Sequence, residues 1–242
     1  EVHCALNGWP ADESVFEGAD AIVFYMDGGA RHEVVLEQRR MERVEQWATQ
    51  GIGIGCMHCG VEVVADQAGN EFKRWIGGHY EHLFSCNPIW EPSFTVFPDH
   101  PIASGVKPFS IEDEWYFNMR FVADLPGNEP AEVDGVRFTP ILVATPADDV
   151  RDGPYVYPKG PYEHIQANAA RAEAMMWVVE RENGSRGMGF TGGHFHDNWK
   201  NEQFRKVVLN ALLWLAKAEV PAAGVESTVT QTQLDSNLDP KK

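Results

Sequence analysis

Three short segments concentrate the side chains that could do chemistry. The first reads Cys56-Met57-His58-Cys59-Gly60-Val61-Glu62. His58 stands where a buried apolar run ends and a turn begins, the place where a nucleophile elbow holds its reactive residue, and Gly60 supplies the small neighbour that such a crowded turn needs. The alternative is a histidine merely hydrogen-bonded at a strand end. The second segment is Ile111-Glu112-Asp113-Glu114-Trp115-Tyr116. Three successive acids are costly unless solvated or paired, so Glu114 is a candidate metal ligand or general base, against the alternative of an exposed acidic turn. The third is Gly192-Gly193-His194-Phe195-His196-Asp197-Asn198-Trp199. A His-x-His spacing in extended chain puts both imidazoles on one side, as a pair of metal ligands requires.

Other candidates are weaker. His79 and His82 lie in a short loop, His100 precedes Pro101 and reads as structural, and His3, His32 and His164 have no supporting context. Cys56 and Cys59 form a CxxC pair, but a redox or zinc role needs a second ligand pair or a thioredoxin context, and neither is visible. Of the eight tryptophans, Trp47, Trp177 and Trp214 fall in core patterns. Trp90, Trp115 and Trp199 fall in polar loops beside the acids and histidines, where aromatic faces suit sugar rings.

The elements that must position these groups follow from hydropathy. Residues 19–25 and 51–58 read as buried strands, joined by a helical period over residues 33–49, which makes a βαβ unit and predicts a parallel sheet. Residues 70–76 form a short helix closed by Gly77, residues 94–97 and 138–144 are strands, and residues 112–121 cross the sheet edge. Residues 175–180 and 187–191 pair around Asn183-Gly184, a hairpin signal. Residues 204–218 form an amphipathic helix. Residues 148–164 read as a long functional or mobile loop. One domain covers 1–220, and 221–242 are an extended or disordered tail. The three polar segments then meet at the C-terminal ends of strands, where open α/β sheets bind ligands.

Composition bounds the partners. The net charge of −16 disfavours nucleic acid and anionic membranes and favours neutral or cationic small molecules. No apolar run reaches the length of a membrane span. The four cysteines are too few for a disulfide scaffold. No signal-peptide pattern opens the sequence, which fits cytoplasm or periplasm equally, and the chain starts at Glu1 rather than Met, as a processed chain or a fragment would. A homo-oligomer is compatible with all of this.

Taken together, Gly53-x-Gly55-x-x-His58, Trp75-Ile76-Gly77-Gly78, Asp99-His100-Pro101-Ile102, Asp113-Glu114-x-Tyr116 and Gly192-Gly193-His194 with Asn210-x-x-x-Trp214 resemble the ThuA-like, trehalose-utilisation family. The resemblance implies a three-layer flavodoxin-like, class I glutamine amidotransferase-like α/β fold with a mostly parallel sheet. It also implies that the chain enters near the family's second strand, leaving an open sheet edge. Amidotransferases of this fold carry a cysteine at the elbow and a later His with a Glu two residues on. Here His58 and Asn198 stand at those places, so glutamine hydrolysis is disfavoured. The family's association with trehalose and related disaccharides implies a sugar or keto-sugar substrate.

The leading expectation is an enzyme, a metal-assisted hydrolase, isomerase or lyase. His58, Glu114, His194 and His196 would hold a divalent metal, zinc by ligand type. Glu62 or His79 would move the proton, and Trp90, Trp115, Tyr116, Trp199 and Asn198 would bind carbohydrate. Two alternatives stand beside it: a non-catalytic carbohydrate-binding or scaffold protein, and a metal-free hydrolase using Cys59 with His196.

Overall fold

The computed structural model describes residues 1–236. Strand β1 (Ala21–Tyr25) and strand β2 (Gly53–Met57) pair in parallel, Ala21 opposite Gly53 and Tyr25 opposite Met57. Helix α1 (Gln38–Thr49) joins them and buries Val44 and Trp47. It starts later than its apolar period suggests: the residues before it run in turns, with the Val34 N–H donating to Nδ1 of His32 and the Val35 N–H to the His32 carbonyl. Helix α2 (Asn70–Ile76) ends where expected, at Gly77 in the left-handed region.

Four more strands complete the main sheet: β3 (Ala131–Val133), β4 (Val136–Ala144), β5 (Glu173–Arg181) and β6 (Arg186–Phe190). The order is β1-β2-β6-β5-β4-β3. Strands β1, β2 and β6 run parallel, whereas β5, β4 and β3 add as antiparallel neighbours. The sheet is therefore mixed, which corrects the expectation of a mostly parallel one. Two tight hairpins account for two of the three antiparallel pairings, and the long segment between Ala144 and Glu173 returns the chain for the third, β4 with β5. Asn183-Gly184 turns β5 into β6, and Asp134-Gly135, both at positive φ, turns β3 into β4. A short turn can join only antiparallel strands.

Successive residues of β5 feed opposite faces. Met176 and Val178 join Phe204, Val207 and Trp214 of helix α3 (Glu202–Leu215), while Trp177 and Val179 join Val44, Trp47, Phe72 and Trp75 of α1 and α2. This is the three-layer α/β arrangement. Asn201 caps α3, its side chain accepting the N–H groups of Gln203 and Phe204.

The chain between Ala144 and Glu173 holds single helical turns at Asp148–Arg151 and Glu163–Gln166, and Asn87 ties it down by accepting the N–H groups of Val156 and Tyr157. The tail differs from expectation. Helix α4 (Gln231–Ser236) packs Leu234 to 3% exposure, and the Leu234 carbonyl meets Nε2 of His196. A capping box opens it, Oγ1 of Thr230 accepting the Gln233 N–H and Oε1 of Gln233 accepting the Thr230 N–H, a Thr-x-x-Gln signal that the polar composition masked. The remainder of the expected tail, 237–242, lies outside the described residues. No helix among the described residues is long and apolar enough to cross a membrane.

Candidate functional site

His58 follows β2 directly and opens a single 3-10 turn, His58–Val61. Its φ of 47° is unusual for a residue with a side chain, and marks the sharp turn anticipated at the elbow. Gly60 permits that turn: a Cβ there would lie 2.6 Å from the Phe24 carbonyl oxygen. Nδ1 of His58 is 2.9 Å from the Thr191 carbonyl oxygen. A carbonyl only accepts, so Nδ1 carries the proton and Nε2 presents a lone pair. Burial pushes the pKa of His58 down, which keeps the ring neutral.

Glu114 arrives on a two-residue ladder in which Asp113 and Glu114 pair with Trp90 and Ile89. Of the three successive acids, Glu112 stays exposed while Asp113 and Glu114 are buried. Oε1 of Glu114 accepts from Nδ2 of Asn87 at 2.8 Å. Oε2 faces Nδ1 of His194 at 2.6 Å and Nε2 of His58 at 3.7 Å. Burial pushes the Glu114 carboxyl up to about 7, the charge of Glu62 adds to this, and the Asn87 hydrogen bond opposes it.

His194 comes from the loop after β6. Gly193 has φ of 110°, and a Cβ on Gly192 would lie 2.6 Å from the Trp115 ring, so both glycines are needed for the loop to take this path. The His194 side chain is 41% exposed and forms the open side of the cluster. Nδ1 of His194 is 3.3 Å from Nε2 of His58.

One ligand atom from each of His58, Glu114 and His194 therefore lies within 4.8 Å of the other two. Ligands of a tetrahedral zinc ion at about 2.0–2.1 Å stand about 3.3 Å apart. The separations from His58 match that spacing closely, and the 2.6 Å contact needs only a small parting of His194 from Glu114. The donor set, two imidazoles and a carboxylate, fits a divalent ion.

Tyr116 borders the cluster. Its hydroxyl is 3.3 Å from Nε2 of His58 and 3.3 Å from Sγ of Cys59. Since Nε2 accepts, any hydrogen bond between it and the phenol has the phenol as donor. Burial pushes the Cys59 thiol up to about 11. Burial likewise pushes the half-buried Glu62 carboxyl up to about 7, with the Tyr116 hydroxyl working against it and the charge of Asp27 adding to it. The Tyr80 ring sits 5.2 Å from that of Tyr116, and its buried hydroxyl has no hydrogen-bond partner among the described residues.

Several anticipated residues are placed elsewhere. His196 does not join the cluster; its Nε2 meets the Leu234 carbonyl, because residues His196–Lys200 coil into a 3-10 turn and rotate the ring away. His79 is buried, with Nδ1 on the Tyr80 carbonyl and Nε2 against Gly69. Trp115 is fully buried among Phe94, Phe190 and Phe204, and Trp90 donates to the Trp115 carbonyl, so these two are core rather than sugar platforms. Trp199 is half-buried against Phe204. Asn198 spends its amide on the Glu112 carbonyl and the Asp113 carboxylate. Among the described residues, no hydrogen bond joins Cys59 to His196. Conversely, Asn87 and Tyr80 take places at the site that no local pattern announced, and Asp113, part of the acidic triplet and of the Asp113-Glu114-x-Tyr116 motif, receives no role from the sequence.

The family model described as "ThuA: Trehalose utilisation" matches residues 9–215. A thua-like protein from Bacteroides uniformis ATCC 8492 has a similar solved structure: TM-score 0.53, 14% identity, 81% of this chain and 69% of that chain covered. A thua-like protein from Parabacteroides merdae ATCC 43184 gives a TM-score of 0.51 at 13% identity over 84% of this chain and 72% of that chain. At these identities the likeness shows the fold. No curated protein matches.

Proposed function

The chain belongs to the ThuA, trehalose-utilisation family, and on that premise we propose that it is an enzyme acting on a neutral sugar or keto-sugar at a divalent-metal centre. His58, Glu114 and His194 would hold the ion, and the convergence of their three ligand atoms carries the reading. An ion there, zinc by ligand type, would polarise a substrate carbonyl or a water molecule.

The protein's own groups supply the rest. The Thr191 carbonyl fixes the His58 tautomer so that Nε2 faces the cluster. Asn87 holds one oxygen of Glu114 and leaves the other directed at the histidines. Glu62 holds or releases a proton close to neutral pH, which suits proton transfer. The unpartnered hydroxyl of Tyr80 favours a ligand that brings a hydroxyl of its own. Asp27, Glu62 and Glu114 give the site an acidic surround, which disfavours phosphorylated sugars and favours neutral ones.

The two other readings have less support. A sugar-binding protein without turnover would draw on Trp90, Trp115 and Trp199, and of these only the half-buried Trp199 is not closed in the core. A thiol hydrolase would need a thiolate at Cys59, whose burial opposes it.

The test is turnover of disaccharides and their keto derivatives by the protein before chelation, after chelation, and after zinc is restored. The reading expects product that disappears with chelation, returns with zinc, and is reduced by at least a hundredfold in Glu114→Gln. Turnover indifferent to both treatments would overturn it.

A further inference from the structure

Asp113 is sealed from solvent, yet it lies beside the metal cluster rather than in it. Its carboxylate collects five donors. Oδ2 accepts from the backbone N–H of Gly193 at 2.8 Å and from Nδ2 of Asn198 at 3.0 Å. Oδ1 accepts from the backbone N–H of His194 at 2.9 Å, of Phe195 at 3.3 Å and of Glu114 at 2.8 Å. Three of these donors belong to consecutive residues of the loop that carries one candidate ligand, and one belongs to the residue that is itself another. No cation pairs with this carboxylate among the described residues, so backbone N–H groups and one amide are what compensate its buried charge.

We propose that Asp113 is the positioning residue of the metal centre: one buried carboxylate fixes the Gly193–Phe195 backbone against the Asp113-Glu114 backbone and so sets the separation of His194 from Glu114. The loop needs such a clamp. Gly193 has a backbone conformation that few residues share, and glycine pairs lose much freedom on ordering. Without the carboxylate, the N–H groups of Gly193, His194 and Phe195 would turn toward other partners and carry the exposed His194 ring with them. This proposal rests on the metal reading of the cluster. Asp113 acts through His194 and Glu114 and need not touch substrate.

Asp113→Asn tests it. The side chain keeps its size, but one acceptor becomes a donor facing the existing donors of the loop. Cobalt(II) is the probe, because its visible absorption reports ligand geometry as well as binding. The expected result is a ten- to hundredfold loss of cobalt affinity together with a changed absorption spectrum. Glu173→Gln is the control: Glu173 is an equally buried carboxylate away from the cluster, bonded to Arg151, Arg171 and the Asn118 N–H. It should lose thermal stability while keeping cobalt affinity and spectrum. If Asp113→Asn fails to fold, Asn198→Ala, which removes one donor from the carboxylate, should shift the cobalt spectrum in the wild-type fold. Cobalt binding and spectrum that survive whichever of these variants folds would overturn the positioning role and leave the metal centre standing. Absence of cobalt binding by the wild type would overturn both.

Discussion

Nδ1 of His58 points at the Thr191 carbonyl oxygen, 2.9 Å away on the neighbouring parallel strand's exit. That one contact decides which nitrogen of the ring is offered to the site. With burial holding the pKa of His58 below its ordinary value, the ring stays neutral with its proton on Nδ1. Long-range nitrogen–proton NMR of the metal-free protein at pH 7 should show His58 as that single tautomer. It should remain neutral as pH falls past 6.5, where an ordinary histidine is half protonated. A protonated His58 at pH 7 would remove the lone pair on which the site depends.

Cys59 should be chemically quiet. Its thiol is pushed up to about 11, so the thiolate fraction at pH 8 is on the order of one in a thousand. Alkylation at pH 8 should be slower than for a free thiol by about a hundredfold. Cys59→Ser should keep turnover within about threefold. Complete loss of activity on alkylation or in Cys59→Ser, with the fold intact, would restore the thiol-hydrolase reading.

His32 links the pH of the solution to the stability of the fold. It is wholly buried, Nε2 on the Gly60 carbonyl and Nδ1 on the Val34 N–H, and burial lowers its pKa to about 4. The unfolded state binds the proton more readily, so the contribution is complete above about pH 6.5 and is lost as pH falls toward 4. The loss should reach about 3 kcal/mol across that window, from about 1.4 kcal/mol per pH unit. Denaturant titrations at pH 7 and pH 4.5 should show a smaller difference for His32→Gln than for the wild type. Equal differences would mean that His32 carries none of the pH dependence.

The fully buried Arg151 guanidinium and Glu173 carboxylate face each other at 3.2 Å, and Arg171 shares the same carboxylate oxygen. Removing one partner leaves a buried charge uncompensated. Glu173→Ala should cost about 3–5 kcal/mol, read as a fall in the midpoint of urea unfolding, whereas the exposed Arg137→Ala should cost under about 0.5 kcal/mol. A loss below about 1 kcal/mol for Glu173→Ala would show that the pair is not under the strain of burial described here.

Much of this was legible in the sequence where the signal is local. The Gly77 helix stop, the Asn183-Gly184 hairpin and the sharp turn at His58 each follow from a few adjacent residues. Asp134-Gly135 carried an equally clear hairpin signal and would have shown that the sheet is mixed. What stayed hidden depends on distant partners. Glu112, Asp113 and Glu114 are alike as a string, and only the ladder with Ile89 and Trp90 separates the exposed acid from the buried pair. The His194-x-His196 spacing promises two ligands in an extended chain, but the turn that starts at His196 breaks that geometry. Trp90 and Trp115 look like loop aromatics until Phe94, Phe117, Phe190 and Phe204 close around them.

The most direct test of the centre is calorimetric titration of the chelator-treated protein with zinc, beside the double variant His58→Ala, His194→Ala. One equivalent of zinc bound by the wild type, with at least a hundredfold weaker binding by the double variant, is the predicted result. No binding by the wild type, or binding that the double variant retains in full, would contradict the assignment of His58, Glu114 and His194 as a metal centre.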